Sequence, residues 1–178
     1  VVKDRNPRKR LKVGYVTADF RLHSVAFFMH PVLRHHNADA VEIHVYSSGK
    51  RDAFTDIIQQ SVPHWHEVAD VSDEALCERI RADGIDVLVD LSGHTTGHRL
   101  FAFARRAAPV QVTWGGYALP LGMKAMDYRL LDHRLAPVGH EKYYSETLFR
   151  LSYSASYAPP DYAPLCAEPP LLRNGYPT

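Results

Sequence analysis

Residues 85–91, IDVLVDL, limit most sharply what this chain can become. Their apolar side chains follow one another almost without interruption, the pattern of a strand covered on both faces, whereas a strand wetted on one side alternates. Such a strand needs a parallel sheet with helix above and below it. Asp83-Gly84 stops the helical segment before it, and SGHTTG turns the chain after it. The expected fold therefore alternates strands and helices around this central strand.

The rest of the chain supplies that alternation. Residues 11–17 hold a short β-rich run, followed by Ser24 as a candidate N-cap and by Val25, Phe28, Met29 and Val32 at helical spacing. Pro31 lies inside that helical pattern and is expected to kink it or end its first part. VEIHVYS at 41–47 alternates apolar and polar residues, which predicts a strand at or near a sheet edge. A short helix is expected over 52–60, a strand over 65–68, and a helix over 72–82 capped by Ser72 with Leu76 and Ile80 inward. Another helix follows at 100–106 and a strand at 110–114, with Pro109 holding its entry extended. The glycines and proline of GGYALPLG make residues 115–122 a loop. Strands over 127–131 and 148–151, with a turn or short helix over 141–145, complete the reading. Together these elements predict an α/β, Rossmann-like, mostly parallel sheet with helices on both faces.

The chain's 178 residues suffice for one well-packed domain. Residues 1–10 read as a basic lead-in from an upstream region, 11–158 as the domain, and 159–178, rich in proline, as a connector. A formal net charge of +1 provides no field that selects nucleic acid or an anionic surface. No apolar run reaches the roughly 20 residues of a membrane span. Cys77 and Cys166 are far apart and form no C-x-x-C clip, so a reducing cytoplasm is the expected setting.

In open α/β sheets ligands bind outside the carboxyl ends of the strands, especially where strand order reverses. Three loops share that edge if the sheet is parallel, at 19–24, 92–98 and 115–122. The first carries His23, an imidazole able to exchange protons near neutrality, and Asp19, able to orient it. Each also has a plain structural use, in capping, packing or turning the chain. The second, SGHTTGH, offers amides, hydroxyls and imidazoles suited to hydroxyl or phosphate groups, though glycine-rich loops also serve only to turn. His94 and His98 have i,i+4 spacing, yet no carboxylate or cysteine completes a zinc set, and no metal is expected. In the third loop Tyr117 and Pro120 can wall a sugar or peptide, or cover the core. No G-x-G-x-x-G or G-x-x-x-x-G-K-[ST] motif supports a dinucleotide or P-loop site.

The segments RLKVGYVTADFRLHSVAFF, DGIDVLVDLSGHTTGHRL, RRAAPVQVTWGGYALPLG, MDYRLLD and YYSETLFRL, in this order, closely resemble the N-terminal half of the catalytic region of protein O-linked N-acetylglucosamine transferases, family 41 glycosyltransferases whose bacterial relatives carry tetratricopeptide repeats. The resemblance implies a GT-B enzyme of two Rossmann-like domains, inverting and metal-independent, with UDP-N-acetylglucosamine as donor and a Ser or Thr of a protein as acceptor. It implies partners as well: the second Rossmann-like domain, beginning near RNGYPT, and upstream tetratricopeptide repeats. An isolated first domain is then expected to be inactive.

By this resemblance His23 lies beside the donor sugar and acceptor hydroxyl, and Gly93, His94 and Gly97 match the family's glycine-containing turn after the central strand; Asp19, Tyr117 and Pro120 complete the expected substrate-binding set by their places in the loops. GYALPLG departs from the family's G-Y-P-G-T-[ST]-G, removing hydroxyls and moving the proline. The lysine that stabilises the leaving diphosphate belongs to the second domain; Arg99, Arg105 and Arg106 do not match it. Two alternatives remain: a related UDP-hexose transferase acting on Asn, and a non-catalytic α/β scaffold or binding domain. A receiver-like domain fits poorly, because Asp19 stands alone where paired acids are required.

Overall fold

The computed structural model describes residues 9–154 together with Asn6, Glu168, Leu172, Arg173 and Gly175. The elements run β1 (Leu11–Thr17), α1 (Ser24–His35), β2 (Val41–Ser47), α2 (Ala53–Gln59), β3 (His64–Glu67), α3 (Asp73–Asp83), β4 (Val87–Asp90), α4 (Leu100–Ala104), β5 (Val110–Trp114), β6 (Tyr128–Asp132) and β7 (Thr147–Leu151). A 3₁₀ turn at Glu141–Tyr143 precedes β7. Seven strands form one sheet in the order β3-β2-β1-β4-β5-β6-β7. Every neighbouring pair is parallel.

The apolar run at 85–91 thus supplies β4, the middle strand, as its composition requires. Successive strand residues face opposite layers. Val16, Tyr46 and Leu88 pack with Leu76 and Ile80 of α3 and Phe103 of α4. Their neighbours Tyr15, Val45 and Val89 pack with Met29 and Leu33 of α1 and Phe54 and Ile58 of α2. Each such side chain contributes roughly 1.5–3 kcal/mol when fully buried, so the two layers hold the sheet from both sides.

Two local expectations are corrected. The N-cap of α1 is His23, whose Nδ1 accepts the Val25 N–H at 3.2 Å, and Ser24 is the first helical residue. A ring nitrogen does here what a serine hydroxyl commonly does. Pro31 does not end the helix, which runs on to His35. Proline inside a helix costs about 3 kcal/mol or more, but Met29 and Leu33 on either side of it are buried, and their burial offsets a cost of that size. As expected, β2 lies near the sheet edge, one strand in, and its polar residue His44 is buried.

Ser72 caps α3 as expected, accepting the Ala75 N–H. Most of the basic lead-in and of the proline-rich connector, including Cys166, lies outside the described residues. Among the described residues no helix is long and apolar enough to cross a membrane.

Candidate active site

The chain lays down β1, β2 and β3 in one direction and then returns to place β4 on the other side of β1. The strand order therefore reverses between β1 and β4, and a crevice opens outside their carboxyl ends. The loops after β1, β4 and β5 meet there. Thr17 Oγ1 lies 3.2 Å from Ser92 Oγ, and the rings of His94 and Tyr117 meet edge to face with centroids 5.4 Å apart.

A cavity of about 270 Å³ opens at this edge, walled by His23, Val25, Phe28, Leu91, Trp114 and Tyr117 among others. Backbone from Gly115 to Ala118 and the end of β6 complete the wall. The lining is mostly apolar with a few polar groups, the usual constitution of a ligand pocket. Of the lining, Phe28 and Leu135 remain exposed, as does Leu119 in the neighbouring loop.

His23 stands at the mouth with about a third of its side chain exposed. Because Nδ1 accepts the Val25 N–H, the neutral ring carries its hydrogen on Nε2. That nitrogen is 3.9 Å from Asp19 Oδ1, too long for a direct hydrogen bond but within Coulombic reach. Asp19 is itself fixed: its N–H donates to Thr17 Oγ1, and its carboxylate accepts from Arg21.

The turn after β4 is organised by Asp90. The carboxylate, 1% exposed, accepts the Ser92 N–H, the Gly93 N–H and the Thr113 hydroxyl at 2.9–3.1 Å. Burial pushes its pKa up, against the pull of these donors. Gly93 has φ +55°, and a Cβ there would sit 2.2 Å from Tyr117 Cβ, so only glycine lets the two loops touch. The expected phosphate-ready amides of SGHTTGH are in part already used: Ser92 and Gly93 serve Asp90, and Thr95 Oγ1 donates to Ser92 O.

Of the residues singled out in the sequence, His23 and Tyr117 share the cavity, and Asp19 backs His23. His94 sits behind Tyr117 with Nε2 3.0 Å from Leu121 O. Gly97 is exposed, with its carbonyl accepting from Ser48 Oγ. Gly97 and Pro120 are not part of the cavity wall. Arg99 is buried in an ion pair with Asp73 and bonds the Val68 and Val71 carbonyls, a structural use.

Arg129 escapes sequence reasoning. It rises from β6, buried, and donates to the carbonyls of Leu119 and Tyr117, pinning the 115–122 loop along the cavity. Burial lowers its pKa, and the nearby Glu146 opposes this. A single arginine inside the apolar run of MDYRLLD was the available signal.

The family profile of glycosyl transferase family 41 matches residues 2–157. A Solanum lycopersicum protein named probable UDP-N-acetylglucosamine–peptide N-acetylglucosaminyltransferase SPINDLY is 35% identical over 179 residues, covering 97% of this chain and 19% of its own length. An Arabidopsis thaliana protein with the same enzyme name, SEC, is 33% identical over 154 residues, covering 85% of this chain and 16% of its own. A solved structure of an O-GlcNAc transferase mutant from Thermobaculum terrenum superposes with a TM-score of 0.85 at 46% identity, over 88% of this chain and 31% of that one. The chain thus spans about a fifth of the length of the curated relatives it matches. With the Rossmann-like fold and the switch-point crevice in place, these matches agree on one assignment: the chain belongs to glycosyl transferase family 41.

Proposed function

We propose that this chain is the N-terminal lobe of a GT-B protein glycosyltransferase that takes N-acetylglucosamine from UDP-N-acetylglucosamine and transfers it, with inversion, to a Ser or Thr hydroxyl. Family membership supports the reaction class, and the observation that carries the residue assignment is His23 at the mouth of an apolar cavity on the switch-point edge. The exposed Phe28, Leu119 and Leu135 around that mouth suit a second lobe closing over it. Upstream tetratricopeptide repeats and an acceptor protein are the other proposed partners, and the setting is cytoplasmic. The chemistry is proposed to need neither cofactor nor metal.

His23 acts through Nε2. With Nδ1 engaged as the cap, Nε2–H is a hydrogen-bond donor to an oxygen of the sugar nucleotide or acceptor. Accepting a proton at Nε2 requires the hydrogen to sit on Nδ1, which releases the Val25 N–H. The capped arrangement therefore favours orientation of substrates over proton removal. Tyr117 supplies a flat wall, held in place by Arg129 and by Gly93 beneath it.

The test is transfer from UDP-N-acetylglucosamine to a Ser/Thr peptide, read by mass spectrometry, for the 178-residue chain and for a protein that also carries a second lobe. The expected result is modification by the two-lobe protein and none by the chain alone. Robust transfer by the purified chain contradicts the lobe assignment, and a hexose found on Asn contradicts the donor and acceptor.

A further inference from the structure

Away from the crevice, β2 and β3 put three imidazoles side by side. The parallel register pairs His44 with His64 and Tyr46 with His66, so alternate residues of both strands face the same layer, under the end of α3. The His44 and His64 rings stack with centroids 4.3 Å apart, and His66 stacks on Tyr46 at 4.9 Å. Asp83, the last residue of α3, closes the group with Oδ2 3.7 Å from His66 Nε2.

Two nitrogens in this cluster have no hydrogen-bond partner among the described residues, His44 Nδ1 and His66 Nε2, and both are sealed from solvent. Buried polar atoms are nearly always paired, and an unpaired one costs about 1–3 kcal/mol. Their ring partners make the pattern more specific. His44, 4% exposed, donates Nε2–H to Glu42 Oε1 at 3.0 Å, which leaves Nδ1 as a bare lone pair. A carboxylate that fixes one ring nitrogen as N–H while the other faces inward is the usual outer support of a metal-binding histidine. One ligand atom from each of His44, His66 and Asp83 can be chosen so that all three lie within 4.8 Å of one another.

We propose that His44 Nδ1, His66 Nε2 and an Asp83 oxygen bind a divalent transition metal, zinc by the chemistry of its donors, as a structural staple joining β2, β3 and α3. Two imidazoles and one carboxylate form a zinc set with a fourth position left for water, and bonds of about 2.0–2.2 Å place ligand atoms about 3.4 Å apart. Of the three separations, that between His66 Nε2 and Asp83 Oδ2 is 3.7 Å, already close to this value. The neighbouring set of Glu42, His44 and His64 serves less well, because His64 is exposed and Glu42 already takes the Nε2–H of His44; in the chosen set the Asp83 carboxylate also accepts from the Tyr46 hydroxyl and from Arg79. Binding asks one adjustment of the chosen set. Arg79 Nη2 lies 3.0 Å from His66 Nδ1, and that nitrogen takes up the hydrogen when Nε2 binds the ion. Arg79 must swing away, and with half its side chain exposed it is free to do so while keeping Asp83. The site lies on β2 and β3, not among the loops of the crevice, and does not depend on the glycosyltransferase reading.

The experiment titrates zinc, and cobalt as a visible-absorbing substitute, into the metal-stripped 178-residue chain, with a melting curve at each step. The expected result is one ion per chain, a cobalt spectrum of a nitrogen- and oxygen-ligated site, and a melting temperature that rises with zinc as binding to the folded state requires. His66→Ala should weaken binding at least about tenfold, Arg79→Ala should tighten it, and His94→Ala, in the other histidine pair, should leave it unchanged. Circular dichroism in chelator checks that each variant folds. Absence of zinc binding by the parental chain, binding unaltered by His66→Ala, or no tightening in Arg79→Ala overturns the proposal.

Discussion

Asp90 and His44 are both polar, both on interior strands and both nearly sealed from water, yet they are satisfied very differently. Asp90 accepts from two backbone N–H groups and a threonine hydroxyl, all within the fold. His44 spends one nitrogen on Glu42 and leaves the other without a partner among the described residues. The saturated group is scaffolding: it ties the end of β4 to β5 and shapes the turn on which Tyr117 rests. The half-satisfied group retains bonding capacity that the folded chain itself does not use. Hydrogen-bond accounting, more than residue type, separates what the fold consumes from what it leaves for a ligand.

The sharpest way to break this contrast is Asp90→Ala. It strands three buried donors, and urea denaturation should show a loss of roughly 3–5 kcal/mol; a loss below about 1 kcal/mol would mean that the turn does not depend on the carboxylate. Gly93→Ala comes next, because a methyl at φ +55° meets Tyr117. About 2–4 kcal/mol should be lost, as the Tyr117 loop must move.

A smaller effect, one that disappears in acid, belongs to Asp132. Its carboxyl pKa is drawn down to about 2, first by the Ser154 hydroxyl and then by the N–H groups of Leu135, Arg134 and Ser154. A carboxylate whose pKa is lower folded than unfolded stabilises above the unfolded value, near 4, and loses that contribution as pH falls from there toward 2. Asp132→Asn should therefore be less stable than the parental chain at pH 6, with the difference closing by about pH 2 in paired denaturation curves. The smallest effect is expected for His44→Leu in metal-free protein. Exchanging a half-paired imidazole for a hydrocarbon of similar size should change stability by no more than about 1 kcal/mol in either direction. A loss as large as that of Asp90→Ala would show that the two groups are equivalent after all.

The same contrast explains what could be read in the sequence. IDVLVDL, the Ser72 cap and the Asp83-Gly84 stop report local physics, and β4 and α3 formed where those signals stand. The convergence of the loops on one edge also followed, since a parallel sheet forces it. Missed features depend on neighbours distant in the chain. Pro31 stays helical because Met29 and Leu33 are buried, and burial is not a property of the local sequence. The alternation in VEIHVYS predicted a strand near the edge, which it is, but not that α3 would cover its polar face. Arg129 reaches the carbonyls of Leu119 and Tyr117, and only the folded loop shows that they are its partners. His44 and His66 are brought together by strand register, which is fixed by pairing and not by local sequence.

His23 was legible as a loop imidazole at the carboxyl edge, with capping among its plain uses, whereas its taking the N-cap position expected of Ser24 was not. Histidine at that position competes with the more familiar Ser24 next to it.

The central claim is that the imidazole of His23 faces substrate at the crevice. It is tested most directly by the turnover of His23→Ala in a protein carrying both lobes, with folding checked by circular dichroism. The account predicts a fall in kcat of at least about a hundredfold, the lower range for losing a positioned hydrogen-bond donor at the reacting centre. Turnover within a few-fold of the parental enzyme would contradict it.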